Sequence, residues 1–190
     1  MIDDMRAFLA LDVKDDKTIK LIEDFQKKLI QTGADLKLVE KNNLHFTLKF
    51  FGEINDVLAI KIKNSLDSLR FKPLHIIYKG IGVFPDPQRI SVIWVGVDKN
   101  SADNLLNIAN KIEERLKGIT SINKKEFQPH LTISRVKSSR NKDKLLALIK
   151  EYQNQDFGEE IITSMKLKKS DLTPKGPIYS DVYTFPFEME

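Results

Sequence analysis

The chain has no cysteine, a single tryptophan, three histidines and eight glycines among 190 residues. Without cysteine there can be no disulfide, thiolate metal site or cysteine nucleophile, and a reducing cytoplasm is the compartment this usage suits. Long apolar runs are also missing: no uncharged stretch approaches the roughly 20 residues needed to cross a bilayer. The first residues carry acids where an export signal carries basic residues, and their apolar run breaks at Asp12. Neither export nor a membrane anchor is therefore expected. No His-Glu-x-x-His helix and no Gly-x-Ser-x-Gly elbow occurs, which leaves out the common signatures of zinc peptidases and serine hydrolases.

What is present is an ordinary globular balance of 41% hydrophobic and 31% charged residues, enough for one domain or two small lobes sharing a core. Net charge is only +4, but between Lys124 and Lys144 seven basic residues meet just two acids, Glu126 and Asp143. Such a window suits an anionic partner such as nucleic acid. A solvated lysine-rich face is the alternative.

Alternation and β-branched or aromatic enrichment predict strands near 5–12, 44–51, 74–84, 90–97, 129–136 and 178–187, with a weaker one within 157–170. Apolar residues at helical spacing predict helices near 16–31, 56–69, 102–117 and 142–152. The class is mixed α and β. Phe84-Pro85-Asp86-Pro87-Gln88 breaks the chain into halves that resemble each other. Phe8–Asp12 aligns with Trp94–Asp98 at an offset of 86 residues, and His45–Leu48 aligns with His130–Ile133 at an offset of 85. The matched elements imply an internal duplication, with repeats roughly at 4–84 and 89–187 of one two-lobed domain and a pseudo-two-fold arrangement. Chance alignment of two amphipathic halves is the alternative.

Two of the three histidines are followed at the second position by threonine, in His45-Phe46-Thr47 and His130-Leu131-Thr132. With 8 threonines in 190 residues, a given histidine meets that spacing about 4% of the time, and two of three do so in roughly 0.5% of cases. On a strand, positions i and i+2 share a face, so each imidazole stands beside a hydroxyl while Phe46, Leu48, Leu131 and Ile133 pack on the other side. Two imidazoles and two χ1-stiff hydroxyls around one space suit a tetrahedral phosphate. The hydroxyls can hold non-bridging oxygens while one charged and one neutral ring move protons. A metal site is the main rival for a histidine pair, but catalytic zinc usually takes three protein ligands and neither motif offers a third histidine.

Other residues carry weaker signals. His75 lacks the threonine and sits in an apolar strand, which reads as structural. Trp94 and Phe84 read as core, with stacking on a base as the alternative. Lys49 shares strand parity with His45 and Thr47 and is an expected phosphate contact, unless it is a solvated strand end. Arg135 lies at an odd offset from His130 and reaches the same face only if the strand bulges or ends first.

Taken together, several segments resemble the RNA 2′,3′-cyclic phosphodiesterase family of the two-histidine phosphoesterase superfamily, formerly called 2′-5′ RNA ligases. They are Arg6–Ala10, His45–Gly52, Gly82–Pro85, Val92–Val97, Pro129–Arg135 and Leu172–Tyr179. The departures are small: Ile90 and Ser91 separate Arg89 from the tryptophan strand, where an arginine usually precedes it directly, and Ile133 replaces the usual leucine. The resemblance implies a bilobal α+β fold in which two antiparallel sheets form a central cleft with helices on the outer faces. It implies hydrolysis of a terminal 2′,3′-cyclic phosphate to a 2′-phosphate without metal or cofactor, and in some relatives the reverse 2′-5′ joining. By the same resemblance His45 is the proton donor to the departing 3′ oxygen and His130 the proton acceptor that activates water. Thr47 and Thr132 hold phosphate oxygens, and Arg135 and Lys49 are substrate contacts. The expected partners are RNA ends bearing cyclic phosphates, such as tRNA fragments, or cyclic nucleotides, with the protein a cytoplasmic monomer. Two rivals remain: a non-catalytic nucleotide-binding module, and a 3′-end exonuclease using the same histidines.

Overall fold

Helix starts are set locally. Asp15, Asn55 and Asp98 each accept a hydrogen bond from the backbone N–H three residues on, at 2.7, 2.9 and 2.9 Å, which satisfies donors that a first helical turn leaves unpaired. In a computed structural model, which describes residues 4–122, 127–174 and 176–188, there are four α-helices: α1 (Asp16–Gln31), α2 (Asp56–Leu66), α3 (Lys99–Arg115) and α4 (Lys142–Glu151). The cap at Asp98 explains why α3 starts earlier than its apolar spacing predicts.

The strands are β1 (Met5–Asp12), β2 (Leu36–Leu38), β3 (His45–Ile54), β4 (Leu74–Phe84), β5 (Val92–Val97), β6 (Leu131–Val136), β7 (Asp156–Ile162), β8 (Ser164–Thr173) and β9 (Gly176–Pro186). The weak strand expected within 157–170 is two strands, β7 and β8, parted at Thr163. Strand β2 has no counterpart among the predicted elements, since three residues are too few to show alternation.

All pairings between these strands are antiparallel, and eight of them run in the order β7-β4-β5-β6-β3-β1-β8-β9, with β2 on the far end of β6. Strands β3 and β6 are joined through one registered pair, Phe46 with Leu131. The two expected sheets are thus two leaves of one hydrogen-bonded path, meeting at a narrow seam. Outward from that seam, β3 and β1 on one side occupy the places of β6 and β5 on the other, the strands that align in the two halves of the sequence.

Helix α1 packs on β6 and β7 of the second leaf, and α3 packs on β3 and β4. Each half of the chain therefore covers part of the other, and one hydrophobic cluster that includes Phe25, Phe46, Tyr78, Leu131 and Phe157 runs through both leaves. No residue of the four helices lines the cleft on the opposite side.

Candidate active site

Phe46 and Leu131 are both fully buried, so strand alternation turns their neighbours to the cleft. Continuing the antiparallel register by one residue on each side sets His45 beside Thr132 and Thr47 beside His130. The imidazoles then occupy one diagonal of a four-residue square and the hydroxyls the other. Diagonal cross-strand neighbours have Cα atoms roughly 7–8 Å apart, close enough for both rings to reach one tetrahedral phosphate. All four side chains line a single cleft of about 710 Å³.

The two motifs also end alike. The β1–β3 register slips between Thr47 and Lys49, and the β5–β6 register slips between Thr132 and Ser134. Each strand therefore carries a bulge just after its threonine, at Leu48 and Ile133. A bulge inverts the parity of the residues beyond it. Phe50 and Arg135 consequently face the cleft, which gives Arg135 the reach that its odd offset made conditional.

Lys49 is corrected by the same device. Rather than meeting a phosphate, it is turned inward and is only 2% exposed, pairing with Glu113 Oε2 at 2.6 Å and donating to the Ser121 carbonyl at 2.9 Å. Simple period-two counting fails there because the bulge intervenes.

Each imidazole is oriented by backbone. His45 Nδ1 lies 2.7 Å from the Asn43 carbonyl and His130 Nδ1 lies 2.6 Å from the Gln128 carbonyl. A carbonyl only accepts, so Nδ1 carries a proton in both rings and Nε2 is left for the chemistry. His45 Nε2 is 3.1 Å from the Thr47 hydroxyl. Phe8 and Tyr179 enclose His45 at ring distances of 5.0 and 5.3 Å. Burial pulls its ionisation below the ordinary histidine value; the Asn43 carbonyl and Asp12 oppose this, while Lys168 and His130 add to it.

Phe84 and Trp94 flank His130 at 4.9 and 6.4 Å. They were expected in the core, but both are half-buried and form the wall that backs the second imidazole. Gly82 makes that wall possible, since a Cβ there would collide with the Trp94 ring.

Sequence reasoning missed several cleft residues. Arg6 and Phe8 lie at alternate positions of β1 and both line the cleft, a period-two signal that was readable beside the resemblance. Phe50, Lys37 and Tyr179 also line it. Lys37 is the cross-strand partner of Arg135 on the short β2, and Tyr179 arrives on β9, so nothing local told that either would face the cleft.

His75 lies in β4 as expected, outside the cleft lining; it is exposed, with Nε2 2.6 Å from Glu159 Oε2 on the neighbouring strand. Of the basic window, Arg135 enters the cleft, while Lys137 and Lys142 line a separate hollow of about 290 Å³. Lys124, Lys125 and Glu126 lie outside the described residues. Among the described residues no group of three or more His, Cys, Asp or Glu side chains is placed to hold a metal ion, and no helix is long and apolar enough to cross a membrane.

Two antiparallel leaves that bring paired His-x-Thr segments to one cleft define the architecture of the two-histidine phosphoesterases. Residues 7–187 match the family described as "AKAP7 2'5' RNA ligase-like domain", and the chain belongs to that family. The RNA 2′,3′-cyclic phosphodiesterase of Methanocaldococcus jannaschii is 43% identical over 175 residues, covering 92% of this chain and 96% of the relative. The protein of the same name from Methanothermobacter thermautotrophicus is 40% identical over 183 residues, covering 95% and 98%. Among solved structures, E. coli LigT complexed with ATP superposes with a TM-score of 0.77 at 18% identity, covering 98% of this chain and all of that one.

Proposed function

We propose that the protein hydrolyses the 2′,3′-cyclic phosphate at RNA ends to a 2′-phosphomonoester by acid–base catalysis that needs no metal. The observation that carries this reading is the square at the seam, with two cleft-facing Nε2 atoms on one diagonal and two hydroxyls on the other. The names of the curated relatives support the same reaction.

In this mechanism Thr47 and Thr132 hold the non-bridging oxygens and Arg135 offsets their charge. His130 takes a proton from water through Nε2 as the water oxygen attacks phosphorus. The P–O3′ bond breaks, and His45 gives its Nε2 proton to the departing oxygen, leaving a 3′ hydroxyl and a 2′-phosphate. His45 must be charged for this step although burial resists it; the bound phosphodiester anion supplies the compensating charge. An RNA 5′ hydroxyl in place of water opens the same ring to a 2′-5′ linkage and a 3′ hydroxyl through the same proton transfers, and this is the proposed joining reaction; run backwards, it cleaves the 2′-5′ linkage.

The matched positions of β1 with β5 and of β3 with β6 favour a single two-lobed domain built from repeats at 4–84 and 89–187. A cytoplasmic setting agrees with the missing cysteines.

The deciding experiment incubates the protein with a 2′,3′-cyclic mononucleotide and follows the product by phosphorus NMR. A 2′-monophosphate formed at the same rate with and without EDTA is expected. A 3′-monophosphate, or activity lost to the chelator, overturns the mechanism, and stepwise shortening of a short RNA would instead support the exonuclease.

A further inference from the structure

The cleft carries more positive charge than one cyclic phosphate can use. Arg6, Lys37 and Arg135 all line it, and among the described residues none of the three has a carboxylate within ion-pair distance. Lys166 and Lys168, by contrast, are neutralised by Asp12 and Asp181 in an interleaved quartet. A cyclic phosphodiester has a single negative charge, and among the described residues Glu40 is the one acid that lines the same cleft.

The surplus is not spread evenly. Phe50 occupies in the first repeat the place that Arg135 holds in the second, 85 residues later and directly after the matching bulge. It is 45% exposed, and the Arg6 guanidinium lies over its ring at 4.9 Å. Large aromatic rings left open beside a cation are what single-stranded nucleic acids stack on. Because the bulge compresses three residues into two strand steps, Phe50 stands about 7 Å beyond Thr47 along β3, a distance that one nucleotide unit spans. Arg6, Arg135 and Tyr179 line the same cleft, so the two guanidiniums share one space.

We infer that the cleft is built for two consecutive phosphates of an RNA strand, the terminal cyclic phosphate between His45 and His130 and the preceding phosphodiester at Arg6, with the adjoining base stacked on Phe50. The inference rests on the proposed phosphodiesterase reading and adds to it a second subsite, for the phosphate and base that precede the cyclic end.

The test compares kcat/KM for a dinucleotide ending in a 2′,3′-cyclic phosphate with that for the corresponding cyclic mononucleotide. The unmodified protein should favour the dinucleotide by about tenfold or more, and Arg6→Gln and Phe50→Ala should each drive that ratio towards one. Both side chains are solvent-exposed or largely so, and the ratio is internal to each protein, so lost folding cannot imitate the result. Arg6→Lys should recover part of the preference. In parallel, binding of the two 2′-phosphorylated products is measured against salt. The dinucleotide product should show a log–log slope steeper by about 0.7 for the added phosphate, and Arg6→Gln should abolish the difference. Hydrolysis of both substrates with a ratio near one, or a ratio that neither variant moves, overturns the inference and leaves the phosphodiesterase reading standing. Hydrolysis of neither substrate with the slope difference intact removes the hydrolase and leaves the two-phosphate cleft, whereas equal slopes remove the cleft.

Discussion

Phe46 and Leu131 lie 85 residues apart in the chain and form the one registered pair between β3 and β6. Each is fully buried, and each separates a histidine from its threonine. The apolar pair that welds the leaves is therefore the same pair that spaces the four polar groups on the other side. Core packing and site geometry are two faces of one piece of strand.

Replacing His45 or His130 by alanine should lower turnover of a 2′,3′-cyclic nucleotide by about 10²- to 10⁴-fold, the usual contribution of a general acid or base. Removing both should cost far less than the product of the single losses, because the two act as a unit. Thr47→Ala and Thr132→Ala should each cost less than either histidine. Steady-state kinetics of the five variants settles it, and a fully active single histidine variant would remove that ring from the mechanism.

Burial lowers the ionisation of His45 in the free protein, and a bound anion opposes that effect. The pH profile of kcat/KM reports the free enzyme and that of kcat reports the complex. The descending limb assigned to His45 should accordingly lie below the ordinary value of 6.5 in kcat/KM and move to higher pH in kcat. Coincident limbs would mean that His45 is not the proton donor.

The same burial links folding to pH. The unfolded chain binds the His45 proton near 6.5, whereas the folded chain resists it until lower pH, so stability from this group is present above 6.5 and is lost as pH falls. Thermal melts from pH 7.5 to about 5 should show a decline that His45→Gln makes shallower. An unchanged pH slope in that variant would assign the decline elsewhere.

Lys49→Met should destabilise by about 1–3 kcal/mol, since it removes an ammonium that is hydrogen-bonded to a carboxylate and a carbonyl at a buried position. Its effect on KM should be small, because the side chain points away from the cleft. A raised KM with unchanged melting temperature would restore Lys49 as a phosphate contact.

Gly82→Ala should reduce activity through the aromatic wall that backs His130. The added methyl group occupies space held by the Trp94 ring, and Trp94 with Phe84 backs the imidazole. A destabilisation of about 1–3 kcal/mol is the usual cost of overpacking. Tryptophan fluorescence, which here reports a single residue, should shift along with kcat.

Much of this protein is written locally. The strand and helix positions come from side-chain periods, the helix starts from Asp15, Asn55 and Asp98, and the functional pair from a histidine–threonine spacing that needs only the alternation of a strand. These are short-range consequences of backbone geometry, so they can be found from the chain alone. The parity of Lys49 and Arg135 was not available in that way, because it depends on bulges set by the pairing of β3 with β1 and of β6 with β5. The same holds for Tyr179 and Lys37, brought to the cleft by β9 and by a three-residue strand whose only reason to be extended is β6 beside it. Sequence determined which groups do chemistry; cross-strand pairing decided which of their neighbours face the same space, because the side on which a strand residue emerges is counted from its partners and not from its own chain.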